Sequence, residues 1–147
     1  MEYKTKQVGW VVVGVTVGIA VIIATTSFIL LGTDQEFTSM AIFMIGLFAV
    51  LPLLFGTLET TVNAKEIKIK FGIGLIKKTI PKSSVKGMKV VKNKFVYGWG
   101  IRFTPHGWLW NIAGYDAVEF DIKDSKHKFR LGCKDPKEMI KEIKKRK

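Results

Sequence analysis

Two long apolar segments occupy the first part of the chain. Residues 8–31 and 37–58 carry no charged side chain and are rich in Val, Ile, Leu and Phe. At a rise of about 1.5 Å per residue, a helix of either length spans a hydrocarbon core about 30 Å thick. Because backbone polar groups in lipid must bond within their own segment, both are predicted to be transmembrane helices. The short connection between them predicts an antiparallel hairpin, with a secretory signal as the main alternative for the first segment.

Two glycines in the first apolar segment stand four residues apart. Gly14 and Gly18 form a GxxxG pattern, which leaves one helix face flat enough for close backbone approach. The simpler interpretation is packing of this face against the second helix of the same hairpin. The alternative is self-association of two chains through the same face.

After Glu59 the pattern changes from continuously apolar to alternating. Residues 66–71 place Ile67, Ile69 and Phe71 on one face and charged side chains on the other, as a half-buried strand requires. Turn residues such as Gly, Pro and Asp separate further runs of this kind. Seven short strands are predicted, over residues 66–71, 75–80, 85–91, 99–103, 108–111, 117–122 and 128–131.

A helix is predicted at the end of the chain. Asp135 suits the cap, Pro136 the first helical position and Glu138 the third position of a capping box. Met139, Ile140 and Ile143 share one side at helical spacing and form an apolar surface that needs a sheet to cover.

Charge is concentrated after the apolar segments. The chain of 147 residues has a formal net charge of +12, and 22 of its 24 Lys and Arg follow residue 58. Basic residues flank the outer ends of both apolar segments, whereas the connecting loop has none, so both termini are predicted to be cytoplasmic. We therefore expect a multi-pass protein of the cell membrane, with a two-helix transmembrane hairpin over residues 1–59 and a cytoplasmic domain over residues 60–147.

The basic domain offers two groups of candidate binding residues. Each Lys or Arg near an anionic membrane surface contributes about 1 kcal/mol of attraction, and the alternative is that these charges only set topology and solubility. Aromatic residues interleaved with Arg can form a binding surface, although in a small β domain they also serve as core. The candidates for lipid or partner binding are Lys68, Lys70, Lys77, Lys78, Arg102, Trp108 and Trp110.

The sequence gives no support for enzymatic chemistry. Cys133 is the single cysteine, and His106 and His127 lack a carboxylate or thiol at ligand spacing. No catalytic, cofactor-binding or metal-binding residues are therefore predicted. Nucleic-acid binding is not expected either, because the positive charge is not accompanied by a recognisable binding motif.

The amino-acid sequence of the C-terminal half is similar to that of a known group of proteins. The segments that carry the similarity are Tyr97–Arg102, Trp108–Gly114, Ala117–Glu119, Phe129–Gly132 and Asp135–Pro136. Over roughly residues 60–147 the chain resembles the bacterial pleckstrin-homology-like (PH-like) membrane proteins. The resemblance implies an α+β domain: a seven-stranded antiparallel β-sandwich or open barrel, capped by a C-terminal helix.

That fold hosts lipid binding, peptide binding and scaffolding, so the resemblance transfers no single activity. The expected function is a noncatalytic, membrane-anchored interaction or adaptor module at the anionic inner membrane surface. Its expected partners are anionic lipid headgroups, bound without specificity, and a protein of unknown identity. The alternative is an envelope-defence or bacteriocin-immunity type of membrane protein.

Overall fold

The computed structural model describes residues 2–31 and 35–145 of the chain. Most of the loop predicted between the two apolar helices lies outside these residues. The described residues form three α-helices and nine strands. In chain order these are β1 (Tyr3–Val8), α1 (Trp10–Thr26, continued by a π-helical turn over Ser27–Leu31), α2 (Gln35–Phe55), β2 (Thr57–Val62), β3 (Glu66–Phe71), β4 (Ile76–Pro81), β5 (Val85–Lys92), β6 (Gly100–Thr104), β7 (Gly107–Asn111), β8 (Asp116–Ile122), β9 (Lys128–Gly132) and α3 (Pro136–Lys145).

The helical hairpin is inserted into the turn of a β-hairpin. β1 and β2 pair antiparallel, with Val8 opposite Thr57, and the Gly9 N–H donates to the Gly56 carbonyl oxygen at 2.9 Å. The first sheet therefore takes residues from both sides of the predicted boundary between residues 59 and 60, which falls inside β2. The apolar segments also extend past their helices. Val8 belongs to β1 and Leu58 is buried in the sheet core, because an apolar run has the same composition whether it faces lipid or a protein interior.

Helices α1 and α2 pack against each other and leave most of their apolar surface uncovered. The segments Trp10–Ile29 and Gln35–Phe55 are 20 and 21 residues long and apolar enough to cross a membrane, and only 6% of each is buried. Thr16 on α1 and Ala41 on α2 are the buried residues of the pair. A core helix of a soluble protein would instead be mostly covered by protein.

The glycine pattern does not lie in this helix contact, so the interpretation that it packs against α2 is wrong. A side-chain carbon built at Gly14 or Gly18 meets no atom within 4 Å. The reason is helical geometry. Thr16 is buried and lines the groove toward Phe48 of α2, and residues two positions away from it lie about 200° around the helix. Both glycines therefore point away from α2.

Two sheets enclose the core. The first has the order β1-β2-β3-β4 and the second β5-β8-β9-β7-β6. Buried side chains of both sheets meet between them: the ring centroid of Phe71 lies 5.5 Å from that of Trp110. The fold is thus α+β, with two mostly antiparallel sheets. All seven predicted strands are present, but β1 and β2 are additional, and β7 and β9 run parallel rather than antiparallel.

The predicted C-terminal helix is confirmed. α3 begins at Pro136, and the Glu138 N–H donates to the Asp135 carboxylate at 3.0 Å, as expected for an N-cap. Met139 and Ile143 are buried in the core between the sheets. Amphipathic spacing alone was sufficient to predict this contact, because the polar side of the helix has no other stable orientation.

Candidate membrane-facing site

One row of charged residues crosses the whole first sheet. The strand registers place Lys6 of β1 opposite Glu59 of β2, Glu59 opposite Lys70 of β3, and Lys70 opposite Lys77 of β4. We call these four residues the basic row. It lies two residues from the pair Val8–Thr57, where the strands continue into the helices, a distance of about 7 Å along the strands.

The alternation of the strands turns the row away from the core. Ile69 and Phe71 of β3 are buried, so Lys70 between them points outward. A second, less charged row lies farther from the helices, where Thr61 is paired with Lys4 on one side and Lys68 on the other. The outer face of the first sheet is therefore basic, with three lysines and Glu59 in the row nearest the helices and two lysines in the next row.

Acidic residues neutralise part of this face. Glu59 lies 2.8 Å from the Lys4 Nζ and 3.3 Å from the Lys70 Nζ, and hydrogen bonding, chiefly from Lys4, lowers the pKa of Glu59. Lys68 is paired with Glu66 at 3.0 Å. These are the ion pairs of the face in the described part of the chain, and they leave Lys6 and Lys77 without an acidic partner. Like charges directly opposite one another, such as Lys70 and Lys77, repel unless an anion lies nearby.

The structure separates the other candidate lysine from this face. Lys78 follows Lys77 and points to the opposite side of β4, where its Nζ lies 5.2 Å from the ring centroid of Phe129. Lys68, Lys70 and Lys77 thus share one face, whereas Lys78 packs on an aromatic ring beside the core.

The candidate aromatic and arginine residues are not brought together with the lysines. Trp110 is 9% exposed and packs in the core, whereas Trp108 is 46% exposed and its ring centroid lies 5.4 Å from that of Phe103. Arg102 donates from Nε to the Trp99 carbonyl at 3.1 Å, on the edge strand of the second sheet. Trp108 and Trp110 therefore do not form one exposed surface.

Sequence reasoning missed the two apolar residues at the tip of the turn between β3 and β4. Ile73 and Leu75 are 68% and 72% exposed, and the Ile73 N–H donates to the Leu53 carbonyl of α2 at 3.1 Å. The sequence indicated a turn here because of Gly72 and Gly74. Its proximity to α2 depends on a tertiary contact.

Sequence reasoning also missed a buried charge cluster on the second sheet. Glu119 of β8 is almost fully buried, and its carboxylate lies 2.7 Å from Arg130, 3.0 Å from Lys128 and 3.2 Å from Lys89. Burial alone would raise the pKa of Glu119, but the hydrogen bonds from Arg130, Lys128 and Lys89 outweigh burial and lower the pKa to about 2. The cluster is built to hold the carboxylate ionised. Arg130 Nη1 also lies 3.4 Å from the Asn93 side-chain oxygen.

Metal-ligand clusters and reactive thiols are two kinds of site that could support catalysis in residues 2–31 and 35–145. No group of three or more His, Cys, Asp or Glu is placed there to hold a metal ion. The Cys133 thiol is buried, and burial, followed by the nearby Asp116, raises its pKa to about 12. A thiol of this kind is protonated at neutral pH and is a poor nucleophile.

Known proteins offer no further guidance to this site. No protein-family model, curated protein or solved structure matches the chain.

Proposed function

We propose that the chain is a noncatalytic, membrane-anchored adaptor whose basic domain lies against the anionic inner surface of the cell membrane, with both termini in the cytoplasm. The observation that carries this proposal is the position of the basic row. Lys6 lies two residues, about 7 Å along the strand, from the end of β1 that leads into α1, and Lys70 and Lys77 lie at the same register on β3 and β4. With those helices in the bilayer, the row is at the height of the lipid headgroups.

The energy of such a contact is modest but sufficient to orient the domain. Each lysine near an anionic surface contributes about 1 kcal/mol, so three contribute about 3 kcal/mol before the opposing charge of Glu59 is counted. Lys6 and Lys77, which lack acidic partners in the described face, account for most of the attraction. Lysine is a point charge on a flexible stem, which favours nonspecific attraction over selection of one headgroup.

The PH-like assignment of the domain belongs to the same proposal. Two packed sheets, with a C-terminal helix burying Met139 and Ile143 between them, support it. The parallel pairing of β7 with β9 and the two additional strands are departures from the expected outline. The fold supports binding or scaffolding by such a domain, and the residues that bind must come from its surface.

An exposed aromatic patch supports a protein partner. Phe103 contacts Trp108 and His127, with ring centroids 5.4 and 5.1 Å apart. Residues 107 and 128 begin β7 and β9 at the end of the second sheet opposite Cys133, and Cys133 lines a cavity with Trp10 at the start of α1. The patch therefore lies away from the helices, where a cytoplasmic partner has access. Exposed aromatic residues are enriched at protein interfaces.

The lipid part of the proposal is tested by energy transfer in reconstituted vesicles. Tryptophan fluorescence of the full-length protein should transfer more efficiently to a dansyl-labelled anionic lipid than to a dansyl-labelled zwitterionic lipid at the same mole fraction. Changing the row by K6Q, K70Q and K77Q should reduce this preference in roughly additive steps. Raising salt to 1 M should abolish it, because the Debye length falls to about 3 Å.

The matched control changes three exposed lysines at the far end of the second sheet, K86Q, K123Q and K126Q, and should keep the preference. Equal transfer to both lipids in the unmodified protein would contradict the proposed lipid contact. Affinity capture in mild detergent tests the adaptor role. A stoichiometric partner that is lost on Trp108→Ala, and retained in the row variant, is expected.

A further inference from the structure

The turn between β3 and β4 completes the C-terminal end of α2. Helix α2 ends at Phe55, so the carbonyl oxygen of Leu53 has no N–H donor four residues later within the helix. The Ile73 N–H donates to that carbonyl at 3.1 Å, and the Gly72 N–H donates to the Thr57 carbonyl at 2.8 Å. The turn is therefore held beside the last turn of the helix.

Close approach of the two backbones requires glycine at the start of this turn. Gly72 has φ +48°, and a side-chain carbon there would overlap the carbonyl oxygens of Leu53 and Leu54. The contact thus depends on the identity of this residue as well as on the hydrogen bonds. It places the turn at the depth of Leu53, within the segment that is apolar enough to cross a membrane.

The side chains at the tip of the turn are apolar and uncovered. Ile73 and Leu75 are more than two-thirds exposed, and Leu53 of the adjacent helix is also exposed. Turn tips usually carry polar residues, which satisfy their own backbone and remain in water. A single exposed apolar residue needs no explanation, but here two lie at one tip that is hydrogen-bonded to an uncovered apolar helix.

We propose that Ile73 and Leu75 form an apolar wedge that inserts into the bilayer beside α2, with lipid acyl chains as its partner. The charges next to the turn fit this occupant. Lys70 and Lys77 flank it on β3 and β4 and point outward, so their ammonium groups can reach the phosphates while their stems cover the wedge. The inference rests on the proposed membrane insertion of the helices, and it adds a contact that does not depend on lipid charge.

The wedge is tested with an environment-sensitive fluorophore on the full-length protein in vesicles. Single cysteines are introduced as I73C or L75C in the turn, V17C on the exposed face of α1 and K126C at the far end of the second sheet. Each is labelled with NBD. Cys133 is buried with a raised thiol pKa, so the unmodified protein measures background labelling. Tryptophan fluorescence of each labelled variant checks that it is folded.

The expected result is that NBD at positions 73, 75 and 17 is blue-shifted, quenched by doxyl-labelled lipid and protected from aqueous iodide. NBD at position 126 should behave in the opposite way. Positions 73 and 75 should give the same result in anionic and zwitterionic vesicles, because the contact is apolar.

The outcomes separate the wedge from the proposed anchor. Protection at position 17 with iodide access at 73 and 75 would overturn the wedge and leave the membrane anchor intact. Iodide access at position 17 as well would overturn the anchor and the wedge together. Quenching at 73 and 75 only in anionic vesicles would also overturn the wedge, because it would assign the contact to the basic row.

Discussion

At the scale of single residues, Glu119 shows how a charge is kept inside this small domain. An isolated buried carboxylate is costly, because it loses its hydration without compensation. Here Arg130 donates a hydrogen bond from Nε to one carboxylate oxygen at 2.7 Å, its Nη2 lies 2.7 Å from the same oxygen, and the other oxygen lies near Lys89 and Lys128. The strand registers align Lys89, Glu119 and Arg130 in one row across β5, β8 and β9. The cluster links three strands of the second sheet.

Glu119→Gln should destabilise the protein in a pH-dependent way. The pKa of Glu119 is lowered from 4.5 to about 2 in the folded state, so its stabilisation is fully present above about pH 4.5 and is lost as pH falls toward 2. Denaturant unfolding in non-ionic detergent, followed by tryptophan fluorescence, should show a loss of about 3 kcal/mol at pH 7.

The difference between the two proteins should shrink steadily as pH falls from about 4.5 to 2, where Glu119 is protonated in the unfolded chain and about half protonated in the folded one. Glu66→Gln is the matched control, because Glu66 pairs with Lys68 at the surface, where an ion pair contributes little to stability. A Glu119→Gln effect of equal size at every pH would assign the role of Glu119 to packing alone.

At the scale of elements, β1 shows that the helical hairpin and the sheet are not consecutive units. β1 is an edge strand whose partner is β2, 49 residues later along the register from Val8 to Thr57. A single strand has no stability of its own. Its pairing therefore requires α1 and α2 to bring the chain back, so that β2 begins beside the end of β1. The hydrogen bond from the Gly9 N–H to the Gly56 carbonyl oxygen joins the two strands where they meet the helices.

We predict that the hairpin can be replaced by a two-residue turn. A chain in which residues 2–9 are joined through Asn-Gly to residues 56–147 should be soluble and should unfold cooperatively in urea, because Gly9 and Gly56 are already hydrogen-bonded. A fragment of residues 60–147 lacks β1 and half of β2, including the buried Leu58. It should have a lower urea midpoint, by circular dichroism, than the joined chain. Equal midpoints would show that β1 contributes nothing to stability.

At the scale of the whole molecule, the helices are fixed to both sheets. The turn at Ile73 bonds to α2 from the first sheet, and a side-chain carbon at Gly9 would lie 2.6 Å from Ile112 Cγ1, directly after β7 of the second sheet. The hairpin and the sheets therefore hold a defined orientation. With the helices in a bilayer, as proposed, this orientation would set the height of the basic row and of the wedge.

Gly72→Ala should weaken this junction, whereas Gly74→Ala is the matched control. Both glycines have positive φ, so both substitutions introduce backbone strain. Only at Gly72 would the new carbon meet the α2 backbone, since at Gly74 its nearest neighbour is the Lys70 side chain at 3.7 Å. We expect Gly72→Ala to cost on the order of 1 to 3 kcal/mol more than Gly74→Ala in denaturant unfolding. NBD at position 75 should also become accessible to iodide in Gly72→Ala. Equal effects of the two substitutions would contradict the close contact.

Local periodicity was sufficient to predict most elements. The alternation at Ile67, Ile69 and Phe71 predicted β3, and the cap at Asp135 predicted the start of α3, because these signals arise from residues adjacent in sequence. β1 was not predicted, since four of its six residues are consecutive and polar, Lys4 to Gln7, and such a segment becomes a strand only when a partner is present. The parallel pairing of β9 with β7 was missed for the same reason, because pairing direction is a property of the assembled sheet.

The candidate site also has some features that the sequence determined and others that only the tertiary structure determined. The sequence by itself determined that the chain has two apolar helices and a basic C-terminal domain, because hydropathy and charge are properties of composition. Only the tertiary structure decided that Lys68, Lys70 and Lys77 share one face, that Lys78 and Trp110 turn to the core, and that Lys6 joins the row from before the first helix. Strand register and the return of the chain through α2 set these neighbours, and both depend on contacts between residues far apart in sequence.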